Sequence, residues 1–253
     1  MKKVLFFVSI ISCCLVGCLD TVEDLTVNAD GSGIYKNTVD MSGLFDMLGM
    51  IAMMDTSANS QIKKIADKNI DSIISLGSMS DTATNLSAEE KRLMQNGTVR
   101  LIVNQNEKTF KMILNYPYKN FSDLEKIIAL QQSGKGFDPL GSNTQSLPMG
   151  GADAKMPALD FLKTSFKNGL IERKIDQAKL DDLKENDQAK QMEDAGDMLE
   201  AIKFNTVIHL PKAVAKASGE KLTVSDDKKT VRINYSLNDL IKNPKALEFK
   251  IEY

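Results

Sequence analysis

Leu25 to Val39 read LTVNADGSGIYKNTV, and this stretch decides the fold. Ile34 to Val39 follows Asp30-Gly31-Ser32-Gly33, and before that turn Leu25-Thr26-Val27-Asn28 alternates apolar with polar. That is the period of a half-buried strand, and the glycines supply the positive φ that a tight reversal needs. The stretch is expected to be a β-hairpin. Asn28-Ala29-Asp30-Gly31 also carries the opening of a calcium-loop pattern, but the alternating ligands stop at Gly31 and no Glu closes the loop. A plain turn remains.

Similar units recur along the chain. TVRLIVNQNEKTFKMILN (98–115) is expected to turn at Asn104 to Lys108, and LDFLKTSFKNGLIERKI (159–175) at Asn168-Gly169. Further strands are expected at 203–210, 221–225, 230–236 and 247–253, with a turn from Asp226 to Lys229. Helical signals lie between them. Ser42 is placed to cap GLFDMLGMIAMM (43–54), a segment whose one charge is Asp46. Residues 60–75 put Ile62, Ile65, Ala66, Ile70, Ile73 and Ile74 on one face of a second helix. Ser87 to Glu90 and Ser122 to Glu125 read as capping boxes, each opening a helix. A charged helix is expected from Gln177 to about Ala201, and a short one from Ser236 to Lys242, closed by Asn243-Pro244. Residues 133–157 are rich in Gly and Pro and lack periodicity, so they are expected to be a flexible insertion. SDLEKI (122–127) and SLNDLI (236–241) are alike, as ordinary helix starts also are. The expected fold is α+β: an antiparallel, curved β-sheet built from hairpins, with helices packed on one face, in a single domain over 25–253.

The N-terminus gives an address. Lys2 and Lys3 precede an uncharged run from Val4 to Gly17. That is the layout of a secretory signal, and it falls short of the roughly 20 residues a membrane-spanning helix needs. Leu15-Val16-Gly17-Cys18 resembles the lipobox of bacterial lipoproteins. The resemblance implies that Leu15, Val16 and Gly17 are read by the signal peptidase, which cuts before Cys18. It implies also that Cys18 takes a diacylglyceryl thioether and that its new amine is acylated, as palmitate labelling would report. Residues 1–17 are then a leader and 18–24 a lipidated tether. Cys13 and Cys14 leave with the leader and Cys18 is consumed by lipid, so the mature chain keeps no free thiol and no disulfide. Two or three acyl chains give stable attachment where one would be marginal. Leu19 after the cysteine, by resemblance to enterobacterial sorting, favours the outer membrane over the inner; the periplasmic and surface-facing sides stay open.

Composition excludes more than it names. Lys and Arg number 32 against 34 Asp and Glu, and both signs are scattered without a basic stripe, so nucleic acid is not an expected partner. His209 is the single histidine, and it sits in the alternating strand FNTVIHLP, which leaves no histidine cluster for zinc. No nucleophile elbow, phosphate loop or dinucleotide fingerprint is present. Glu89-Glu90, Asp181-Asp182 and Asp226-Asp227 fall on a helix start, an exposed helix and a turn, where neighbours do not converge on one site. No catalytic residue, metal or cofactor is expected, and the chain is not expected to be an enzyme.

LTVNADGSGIYKNTVDMS together with IHLP (208–211) resembles a class of bacterial envelope lipoproteins that carries no known catalytic residue. The resemblance implies the anchor and a β-rich fold. Two functions follow as expectations. The first is a non-catalytic structural or interaction module with an envelope protein as partner. The second is a carrier of a lipid or other hydrophobic ligand, in a cavity between the sheet and the Met-rich helix, with Met47, Met50 and Met54 as lining or lid.

Overall fold

Side-chain alternation along Leu19–Val27 makes the first strand, β1, a central strand of the protein's larger sheet. The computed structural model describes residues 19–44, 69–84, 86–132, 161–185 and 196–253. Within them lie β2 (Gly33–Asp40), β3 (Ile70–Ser75), β4 (Thr98–Asn104), β5 (Thr109–Tyr118), β6 (Leu162–Lys167) and β7 (Leu170–Ile175). They are followed by β8 (Ile202–His209), β9 (Lys216–Gly219), β10 (Leu222–Val224), β11 (Thr230–Ser236) and β12 (Phe249–Glu252). Five α-helices accompany them: α1 (Leu76–Thr82), α2 (Ala88–Met94), α3 (Phe121–Gln132), α4 (Gln177–Glu185) and α5 (Leu237–Lys242).

The larger sheet has eight strands in the order β10-β11-β8-β1-β2-β5-β4-β3, and the smaller has four, β6-β7-β12-β9. The fold is α+β, as expected, with two additions. β9 joins β12, and the β1–β8 ladder is parallel, with Leu25 beside Ile208 and Glu23 beside Thr206. On the covered face Leu25, Tyr35, Leu114, Tyr116, Phe204, Ile208 and Ile233 are buried. They share one core with Phe166, Ile171, Phe249 and Ile251 of the smaller sheet, and with Leu124 and Ile127 of α3. Each such side chain contributes roughly 1.5–3 kcal/mol when fully buried.

Several expectations are corrected. Ile70–Ser75, expected inside a helix, is the edge strand β3, antiparallel to β4 with Ile70 opposite Val103. β-Branched isoleucines suit a pleated ladder better than a helix. Ile62, Ile65 and Ala66 lie outside the described residues. Helix α3 begins at Phe121, one residue before its expected cap, and Asn120 caps it by accepting from the Asp123 N–H at 2.9 Å. Glu125, read as the closing half of a capping box, instead accepts from the Phe166 N–H. Of the charged helix expected to reach Ala201, Gln177–Glu185 is α-helical and Gly196–Ala201 is a 3-10 helix. The hydroxyl of Ser42, at the head of a short 3-10 turn, accepts from the Phe110 N–H. Leu19 to Asp24, expected as a tether, belong to β1. The remainder of 43–54 beyond Leu44 and all of 133–157 lie outside the described residues.

Candidate functional site

Four turns and the end of β12 gather at the end of the sheets toward which β1 runs. In the first, between β1 and β2, Asp30 accepts from the Ser32 N–H and hydroxyl, and Asn28 Nδ2 donates to the same hydroxyl. The Ser32 bonds hold the Asp30 carboxyl below its ordinary range. Gly31 takes φ +82°, and an added Cβ there would meet the Asn168 side chain and the Phe121 ring. Gly33 leaves room for the Tyr118 ring, whose hydroxyl donates to Thr26 O at 2.8 Å.

The Asn168-Gly169 reversal between β6 and β7 is therefore set against the β1–β2 turn, with Gly169 at φ +77°. Its carbonyl accepts from the Tyr253 N–H at 3.0 Å, which brings the end of β12 alongside. Beyond β8, Leu210 and Val214 donate to Lys229 O and Lys228 O, and so tie the 210–214 loop to the β10–β11 turn. A cleft of about 300 Å³ opens where these turns meet, lined by Asn28, Asn168, Gly169, Pro211, Lys212 and Tyr253 among others. Lys212 lines it, and Lys119, Lys167 and Lys228 stand in adjoining turns, all four exposed. None of the four pairs with a carboxylate among the described residues.

A second polar group lies between the sheets. Glu23 accepts from the Tyr35 hydroxyl at 3.0 Å and the Thr206 hydroxyl at 3.2 Å, and Arg173 Nη2 stands 3.6 Å away. Arg173 Nε donates to the Thr164 hydroxyl, and the guanidinium lies 5.0 Å over the Phe249 ring. Burial, and then the Glu23 charge, push the Tyr35 phenol well above its ordinary range. Asn37 Nδ2 donates to Gln131 Oε1 at 3.4 Å nearby. Arg173 Nη1, Asn37 Oδ1, Gln131 Nε2 and Tyr116 OH are buried with no hydrogen-bond partner. Here the chemistry is cross-bracing: a carboxylate and a guanidinium tie the two sheets together.

The residues singled out from the sequence fall elsewhere. Leu15, Val16, Gly17 and Cys18, and likewise Met47, Met50 and Met54, lie outside the described residues. His209 sits on the outer face of the larger sheet, with Nε2 3.5 Å from Asp24 and Nδ1 3.4 Å from the Thr230 hydroxyl. Of the paired carboxylates, Glu89 binds Arg92 and Lys126, Glu90 closes a cap, and Asp227 is held within its own turn. Among the described residues no three His, Cys, Asp or Glu side chains gather as a metal site, and no helix is long and apolar enough to cross a membrane. Sequence reading missed both polar groups. Glu23 and Arg173 had a signal, each alternating with apolar inward residues in TVEDLTV and LIERKI. The cleft had none, because its residues come from separate turns.

No protein-family model matches the chain, and no curated protein does. Among solved structures, the NMR structure of the folded domain of LppM from Mycobacterium tuberculosis matches at 8% identity and a TM-score of 0.38, over 94% of this chain and 91% of that one.

Proposed function

We propose that this chain is an envelope lipoprotein held at the membrane by acylated Cys18, and that its domain is a non-catalytic interaction module for an envelope protein. The observation that carries this reading is the start of β1 at Leu19, directly after Cys18. A lipid on Cys18 sets the opening end of the larger sheet against the bilayer. The turns that form the cleft then stand about 25 Å further out, one strand length at roughly 3.3 Å per residue. Such an arrangement suits a module that faces away from its own membrane. Leu19 in the position after the cysteine supports the outer membrane. The alternative, a carrier of a hydrophobic ligand, rests on Met47, Met50 and Met54; no feature of the described residues favours it over the module.

Cys18→Ser tests the anchor. The variant is expected to take up no labelled palmitate and to leave the detergent-rich phase on partitioning. Palmitate entering the variant as efficiently as the wild type would refute the assignment.

A further inference from the structure

We propose that the lysine-rimmed cleft is a docking site for an acidic polypeptide segment of another envelope protein; this rests on the module reading above and names the chemistry of its partner. Two independent features meet there. One is a concave site of about 300 Å³ built from turns of both sheets. The other is charge: Lys212 lines it, Lys167 precedes the lining Asn168, and Lys119 and Lys228 belong to turns at the same end of the sheets, in a chain whose formal net charge is −2. The acids at this end offset them only in part. Asp30 is bonded to Ser32, and Asp227 to Ser225 and the Lys229 N–H; these neutral donors leave both charges in place, so with Asp226 three aspartates stand against the four lysines. Clustered unpaired ammonium groups raise the local potential, attract carboxylates and speed their encounter, and salt screens the effect.

The lining chooses a polypeptide over other anions. Pro211 and the half-buried Tyr253 offer apolar surface, while Asn28 and Asn168 offer amide groups. A peptide supplies both complements, an apolar side chain for the rings and peptide groups for the amides, with its carboxylates reaching the lysines outside. A sulfated or phosphorylated glycan offers charge without the apolar anchor. A phospholipid headgroup would have to belong to a facing membrane.

The test uses the full chain in detergent and a fluorescent peptide in which Glu alternates with Leu and Ser, followed by anisotropy. Binding is expected to weaken at least tenfold between roughly 0.05 M and roughly 0.5 M salt. Combining Lys167→Glu with Lys212→Glu is expected to weaken it at least tenfold, and Tyr253→Ala at least threefold with the salt dependence kept. Lys203→Glu, on β8 near its first residue and far from the cleft, is expected to change it less than twofold. Absence of binding overturns the proposal, as does binding indifferent to the cleft variants. Displacement of the peptide by dextran sulfate or by phosphatidylglycerol vesicles at equal charge overturns it too, in favour of a general polyanion or a membrane surface. Palmitate uptake at Cys18 is measured on the same variants. A labelled chain that ignores the peptide loses this proposal and keeps its anchor; an unlabelled chain that binds does the reverse.

Discussion

Arg173 is 7% exposed and stands on the inward side of β7 between Ile171 and Ile175. A guanidinium there is tolerated because Nε meets Thr164, Nη2 faces Glu23 and Phe249 lies beneath, although Nη1 is left without a partner. Removing one member of a buried pair commonly costs 3–5 kcal/mol, because the other charge is left without compensation. Glu23 keeps 30% of its side chain exposed, so water relieves part of that cost. Arg173→Leu is accordingly expected to cost about 2–3 kcal/mol, read as a lower urea midpoint. Arg173→Lys should fall between it and the wild type, since a point charge can face Glu23 but cannot lie flat on Phe249 while donating to Thr164. Equal midpoints for the Lys and Leu variants would mean that the planar geometry contributes nothing. The strand alternation that aims this arginine inward is plain in LIERKI. Glu23 alternates likewise in TVEDLTV, but the expectation of a tether over 18–24 sets it outside the domain, whereas β1 already begins at Leu19.

Helices α2 and α3 are clamped by charge as well as by Leu93 and Leu124. Ser87 and Glu90 cap α2 reciprocally, and Glu89 binds both Arg92 and Lys126 of α3, while Arg92 also reaches Asp123. The bonds from Arg92 and Lys126 draw the Glu89 carboxyl down to about 2 from 4.5. A folded-state value below the unfolded one means that the stabilisation is present above about pH 4.5 and is lost as pH falls toward 2. The midpoint difference between wild type and Glu89→Gln is therefore expected at pH 7 and should shrink through that window. A difference that persists at the acid end would assign it to packing. This cap was legible because its signal is local, a serine three residues before a glutamate. Asn168-Gly169 and the 98–115 hairpin were legible for the same reason. β3 was not: Ile70, Ile73 and Ile74 fit the i, i+3, i+4 spacing of a helix as well as a strand, and pairing with β4 settles the matter. Nor was the parallel pairing of β1 with β8, because ladder register between distant segments leaves no mark in either one.

That parallel ladder is the seam of the larger sheet. β1 to β5 come from the part of the chain before residue 133, whereas β8, β10 and β11 come from the part after residue 160. β1 lies between its hairpin partner β2 and its distant partner β8, so the two parts share eight paired positions from Leu19–Ile202 to Thr26–His209. The smaller sheet adds a second bond between them, since Phe166 stacks on Phe121 and Arg173 reaches Glu23. A protease site inserted within 133–157 and then cut should therefore give two fragments that co-elute on size exclusion without denaturant. Their dissociation should follow urea in one transition with the loss of β-sheet circular dichroism, because neither fragment keeps the shared core alone. Val207→Pro gives the same experiment a sharper edge. It sits in β8 between β1 and β11, where a ladder donor cannot be spared, and it should separate the cut fragments without denaturant. Fragments that part in buffer alone would make the 133–157 stretch a linker between two domains.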